Sequence, residues 1–209
     1  FGIDAWWDRR GDMDREQALM AALVTELDAA TDDLQQYRDH HARVATAGSE
    51  LIGLRGEAPV TREKADRLLG IIIQGRPYAP SAAVLDSLLG AEGAAGLSDP
   101  KTALLLARWR QSTSNLAAQS DTVAYYLNRD LNAYVNRHIP YRTLDLAAGN
   151  VADIEPSGFP TNIPAQLESV EFENSVYNRY YLAARVADRT DGVLEATREV
   201  LAVLREQLL

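Results

Sequence analysis

Three stretches of the chain carry apolar residues at alternating steps of four and three, the spacing of a helix that buries one stripe over many turns. The first runs through Leu23, Leu27, Ala30, Leu34, Tyr37, His41, Val44, Gly48 and Leu51 and predicts a long helix over residues 12–53. Its mean step of about 3.5 residues suits packing side by side against another helix. Gly53 with Gly56-Glu57-Ala58-Pro59 stops it, and Gly11 and Gly48 are expected to weaken its ends. The second seam, Leu105, Trp109, Ser112, Leu116, Ser120, Val123, Leu127, Leu131, Tyr134 and His138, predicts a helix over 99–139. Ser98-Asp99-Pro100 opens it, and a mean step of about 3.67 predicts a nearly straight rod. The third passes through Val176, Tyr180, Ala183, Ala187, Thr190, Leu194, Thr197, Leu201, Leu204 and Leu208, predicting a helix over 166–208. Val186, Val193 and Val200 widen that face, so this helix should touch at least two neighbours.

Shorter patterns lie between these rods. Thr61 is placed to cap a helix through Leu68, Leu69, Ile72 and Ile73, with Arg62/Asp66 and Glu63/Arg67 one turn apart on its outer side. After Tyr78-Ala79-Pro80, Ser81 opens a second short helix through Val84, Leu85, Leu88 and Leu89, closed by the loop from Gly90 to Gly96. Residues 145–165, broken by Gly149-Asn150, Pro156-Ser157-Gly158 and Phe159-Pro160, read as an irregular loop longer than a helix–helix link needs. No segment alternates with the period of two that a half-buried strand requires. The expected fold is all-α: one elongated, antiparallel, four-helix-bundle-like domain over 1–209, with three long helices and a pair of short ones stacked as the fourth.

Composition narrows the chemistry. With 209 residues the chain can bury a core without disulfides, and it has no cysteine, which excludes thiol catalysis and Cys-containing metal sites. Thirty acidic against 21 basic side chains give a formal charge of −9, a field that repels nucleic acid. All but two of the basic residues, Lys64 and Lys101, are arginines. Gly90, Gly93 and Gly96 lack the Lys-Ser/Thr pair and preceding strand of a phosphate loop. No Glu-x-x-His pair marks a di-metal bundle, and no serine stands in a nucleophile elbow. Catalytic residues, metal ligands and cofactors are therefore not expected. His41 and His138 fall on helix seams, which leaves open a buried pair or a pH-sensitive contact.

One concentration stands apart. Tyr125, Tyr126, Arg129, Tyr134 and Arg137 on the second rod, with Tyr177, Arg179, Tyr180, Tyr181 and Arg185 on the third, combine ring faces with guanidinium forks. Such a set suits a ligand partly apolar and partly anionic. The candidate binding residues are Tyr126, Arg129, Tyr134, Arg137, Tyr177, Tyr181 and Arg185, with tyrosines that only close the bundle's wide end as the alternative.

At the other extreme of the chain, Phe1, Ile3, Trp6 and Trp7 followed by Asp8-Arg9-Arg10 have the composition of a membrane–water boundary. No later window approaches the ~20 apolar residues of a spanning helix. A membrane helix preceding Phe1 is therefore expected, with residues 1–10 as its exit.

Trp6-Trp7-Asp8-Arg9-Arg10 leading into a long helix, Tyr78-Ala79-Pro80-Ser81 followed by Ala83, Leu85, Asp86 and Leu88, and Phe172-Glu173-Asn174-Ser175 opening the last helix resemble an uncharacterised bacterial family. Its members look like single-pass membrane proteins with a helical domain outside the cytoplasm. The resemblance covers most of the chain, departs from it in the Gly90 to Gly96 loop, and carries no functional residue with it. It implies a domain at the bacterial cell membrane facing the periplasm or exterior. The expected function is a non-catalytic interaction or scaffold module with a protein partner, or a second copy of itself. The alternative is a small-ligand sensor with a cleft between the second and third long helices.

Overall fold

The computed structural model describes the backbone of residues 2–55, 61–80, 83–89 and 99–209, and the side chains of 15–55, 61–80, 83–86 and 99–209. Its elements in chain order are α1 (Gly2–Gly53), α2 (Arg62–Ile72), α3 (Ala83–Leu89), α4 (Pro100–Tyr126), a π-helical turn (Leu127–Asn132), α5 (Ala133–His138), α6 (Tyr141–Ala147), α7 (Ile163–Gln166) and α8 (Val170–Gln207). The fold is all-α, without a strand among the described residues, and the long helices pack antiparallel. No described helix is long and apolar enough to cross a membrane.

The chain forms two compact units, and each long helix contributes a stretch to both. Unit 1 comprises 1–36, 79–117 and 190–209. Its core is Leu23, Leu27, Leu85, Leu106, Trp109, Val200 and Leu204 with their neighbours. The Trp109 indole N–H donates to the Thr197 hydroxyl at 2.8 Å, so the large ring is buried without stranding its one polar atom. Glu26 accepts the amide protons of Val84 and Leu85 at 3.1 and 3.2 Å, holding two of the early N–H groups of α3 that a helix leaves unpaired. The Asp99 carboxylate takes the amides of Lys101 and Thr102, so the expected start of the second rod is a capped one.

Unit 2 comprises 37–78 and 118–189. Leu51, Leu69, Ile72, Leu131, Val135, Leu144, Ile163, Phe172 and Val176 lie at its centre. Here α1 and α8 approach closely enough that a Cβ on Gly48 would meet the Tyr180 Cβ at 2.8 Å. Gly48 is thus a packing glycine inside the helix, not a weak end. Gly70 plays the same part in α2, where an added Cβ would run into the Leu144 carbonyl oxygen.

Several boundaries differ from the sequence reading. α1 starts at Gly2 and runs through Gly11, whose low propensity does not end the helix. The second rod is not uniform. Val123, Leu127, Leu131 and Val135 are all buried at steps of four, which outrun the 3.6-residue period, and the π turn absorbs the excess. Toward its start the buried positions are Leu106 and Thr113, one residue on from the expected Leu105 and Ser112. The stretch 145–165 is not wholly irregular, because α6 runs into it and the turn of α7 closes it, the latter capped by the Asn162 side chain accepting from the Ala165 amide at 3.2 Å. Thr61 occupies the N-cap position of α2 but makes no side-chain capping bond. Asp66 is buried rather than on an outer face, and it accepts from Thr161, which in turn accepts from Arg62. The side chains of 1–10, the Ser81 cap and the Gly90 to Gly96 loop lie outside the described residues.

Candidate functional site

Both polar features of interest belong to unit 2. The first is a strip of exposed rings. Arg129, in the π turn, sets its guanidinium carbon 5.1 Å from the Tyr125 ring centre and 4.8 Å from that of Tyr126. The same guanidinium donates to both Asp130 carboxylate oxygens at 2.7 and 3.1 Å, which anchors it beside the rings and favours its charged form. On α8, Tyr177 stacks on Tyr181 at 6.4 Å, and Arg185 lies 5.6 Å over the Tyr181 ring while donating to its hydroxyl at 3.0 Å. Spacing by four residues puts Tyr177, Tyr181 and Arg185 on one face.

The two groups share a level of the unit. Tyr134 meets Phe172 at 5.1 Å between ring centres, and Arg189 reaches Gln119 at 2.8 Å, so the antiparallel register places Tyr126 opposite Tyr181. The four rings Tyr125, Tyr126, Tyr177 and Tyr181 are between 38% and 58% exposed. Tyr134 does not join them. It is buried, its hydroxyl donates to Gln166 at 2.6 Å, and its ring packs on His138 and Phe172. Arg137 is exposed and pairs with Glu171 at 3.3 Å, about two helical turns from Arg129.

The second feature is internal. Arg179, only 2% exposed, donates to the Ile72 and Gln74 carbonyls at 3.1 and 2.7 Å. Those oxygens lie where α2 ends and its last carbonyl groups would otherwise lack partners, a natural seat for a cation. Burial pulls the guanidinium pKa down to about 10, with Tyr37 opposing, so it remains charged at neutral pH. Beside it His41 is buried, 4.5 Å from the Tyr37 ring and 5.1 Å from His40. Burial, reinforced by the positive charge of Arg179, lowers the His41 pKa to about 3. His40 falls to about 4 by burial, then by Arg179 and Arg43. Both imidazoles are neutral at pH 7. Neither ring nitrogen of His41, nor Nε2 of His40, nor Nη1 of Arg179 is in hydrogen-bonding geometry with a partner. His138 is exposed, so the seam histidines do not form the buried pair that their positions left open; His41 pairs with His40 instead.

Next to this centre lies a pocket of about 370 Å³ lined by His40, Arg43, Gln74, Arg76 and Asn150, with Val44, Ile71 and Ala148 as its apolar wall. A wider groove of about 630 Å³ on the neighbouring face of α1 mixes Arg38, Arg43 and Arg67 with Asp39 and Glu50. Neither is lined by the second or third long helix, where the sequence placed a cleft. No group of three His, Asp or Glu among the described residues is arranged to hold a metal ion.

Composition puts Arg179 in the tyrosine–arginine concentration without marking it as buried, and it leaves His40 unmarked. Arg179 falls by residue type among the exposed arginines, yet it stands in the buried series Phe172, Val176, Arg179, Ala183, Val186 and Thr190 at steps of four and three. An arginine on a core stripe is the signal that marks it. No family model matches the chain, and comparison with curated proteins and with solved structures also gives no match.

Proposed function

We propose that the protein is a non-catalytic helical interaction module that engages a protein partner through the tyrosine–arginine strip of unit 2. The observation that carries this reading is the arrangement of Tyr177, Tyr181 and Arg185: rings about half exposed, stacked on one another, with a guanidinium held over them. On other helix faces Trp109, Tyr37 and Phe172 are fully buried, and the exposed Phe159 stands on the loop before α7 rather than on a helix, so a row of exposed rings along one helix face sets Tyr177 and Tyr181 apart from those three. Tyrosine and arginine are, with tryptophan, the side chains most enriched where binding energy concentrates, tyrosine because its large ring loses little entropy and arginine because its planar fork stacks on rings and pairs with carboxylates. Arg185 has no carboxylate within ion-pair distance among the described residues, so the fitting partner is a protein segment that sets a carboxylate between apolar side chains. The composition of residues 1–10 supports a module displayed outside the cytoplasm from a membrane helix.

Two experiments test the reading. A reporter enzyme active only outside the cytoplasm, fused after Leu209 in the native gene product, should be active. Crosslinking in cells through a photoreactive residue at position 177 or 181 should yield an adduct that Tyr181→Ala with Arg185→Ala abolishes, while a residue placed at the Arg205 position in unit 1 yields none. An adduct consisting of two copies of this chain would replace the heterologous partner with self-association. No adduct at either position would end the reading.

A further inference from the structure

We infer that the pocket beside His40 binds a small monocarboxylate, a second binding function independent of the tyrosine–arginine strip. The pocket residues carry two guanidinium groups, Arg43 and Arg76, and not one carboxylate. In a chain with a formal charge of −9 a lining with arginines and no acid is an uncommon local balance; Arg43 is shared with the adjoining groove, where Asp39 and Glu50 also stand, whereas Arg76 lines this pocket and not that groove. Arg179 adds a third positive charge from behind. The depressed His40 pKa, driven by burial and then by Arg179, Arg43 and Arg76, indicates that the three guanidinium groups act together at this point. A positive concavity of this kind is an anion site.

The lining also selects among anions. Gln74 and Asn150 are held by the Asp145 carboxylate, at 3.3 and 3.1 Å from their amide nitrogens, and both also reach the Gly70 carbonyl. Asp145 therefore stands directly behind the polar wall and disfavours a second negative charge on the ligand, against phosphate dianion and in favour of a carboxylate. The opposite wall, Val44, Ile71 and Ala148, gives a short hydrocarbon portion a surface to cover. A volume of about 370 Å³ is at the small end of ligand pockets, which limits that portion to a short chain or one ring. Arginine forks supply paired donors to the carboxylate, and the neutral His40 ring, whose Nε2 has no partner in the fold, supplies a further polar contact.

The inference is tested by titrating the 209-residue chain at constant ionic strength with acetate, butyrate, hexanoate, octanoate, benzoate and inorganic phosphate, reading heat and melting temperature. One or more of the carboxylates longer than acetate should bind and raise the melting temperature with the logarithm of concentration. Arg43→Ala and Arg76→Ala should each weaken that binding about tenfold to a hundredfold, the value of one charged hydrogen bond. Both arginines are exposed, so the variants should fold, and Arg137→Ala and Arg185→Ala should bind as the parent does. Amide and imidazole NMR shifts of the unaltered chain supply a mapping that needs no variant: His40 and Asn150 should move and Tyr181 should not. Equal binding by the Arg43→Ala, Arg76→Ala double variant, tighter binding of phosphate than of any carboxylate, or no binding beyond the ionic-strength control would overturn the site. None of those outcomes touches the crosslinking result at Tyr181.

Discussion

Unit 1 buries Trp109 against Thr197 and surrounds them with leucines and valines, whereas unit 2, built from other stretches of the same long helices, buries a guanidinium and an imidazole. All three histidines fall in unit 2, as do the π turn, the two packing glycines Gly48 and Gly70, and the exposed tyrosines. Uniform apolar seams suffice to hold helices together, so the departures from uniformity mark where the chain does something besides fold. The contrast is the ground on which both proposals are placed in unit 2.

The largest effects should come from removing each unit's buried anchor. Trp109→Ala in unit 1 should cost about 3–5 kcal/mol, the usual range for a buried aromatic truncation. Arg179→Ala in unit 2 should cost a similar amount, roughly 3–5 kcal/mol, because the Ile72 and Gln74 carbonyls lose their donor and a cavity remains. Arg179→Lys separates the two accounts: a point charge cannot serve both carbonyls with the fork's geometry, and if lysine restores full stability in denaturant unfolding, bidentate seating is not what holds the centre.

A glycine pair gives effects of opposite sign. Gly70→Ala should destabilise by about 1–3 kcal/mol, since its Cβ meets backbone that cannot turn aside. Gly192→Ala in unit 1, where nothing lies within 4 Å of the new Cβ, should stabilise by up to about 1 kcal/mol through helix propensity. Equal signs in thermal unfolding would contradict the close approach of α2 to α6.

Acid should act on unit 2. His40 and His41 have folded pKa values of about 4 and about 3, below the ordinary 6.5, so the unfolded chain takes up protons first as pH falls. Stability is then fully present above pH 6.5 and is lost on the way down toward pH 4, by at most about 1.4 kcal/mol per pH unit for each histidine. His41→Leu should flatten that slope between pH 6.5 and 5, above the carboxylate range, while Arg205→Ala in unit 1, which breaks an exposed pair with Asp28, should leave the slope alone and cost no more than about 1 kcal/mol.

The seams are readable because a helix repeats its buried face. Every residue expected on the first one, from Leu23 to Leu51, is buried. Capping at Asp99 and the stop at Gly53 are equally local. The misreadings come from long-range contacts. Nothing near Gly70 in sequence announces the Leu144 carbonyl, and nothing near Arg179 announces the end of α2, more than a hundred residues earlier. The strip is half legible: composition singles out Tyr126, Arg129, Tyr177, Tyr181 and Arg185, but the same composition includes Tyr134, which periodicity already places on the core seam. The pocket beside His40 is not legible at all, since it is assembled from α1, the end of α2 with the segment after it, and the segment after α6.

The central claim, that burial, reinforced by the charge of the buried Arg179 guanidinium, keeps two imidazoles of unit 2 neutral, is tested most directly by following the His40 and His41 ring resonances with pH. The account predicts that both rings remain unprotonated through pH 5, His40 titrating near 4 and His41 near 3, and that Arg179→Leu moves both midpoints upward. A ring at either position that titrates near 6.5, or midpoints indifferent to the loss of Arg179, would contradict it.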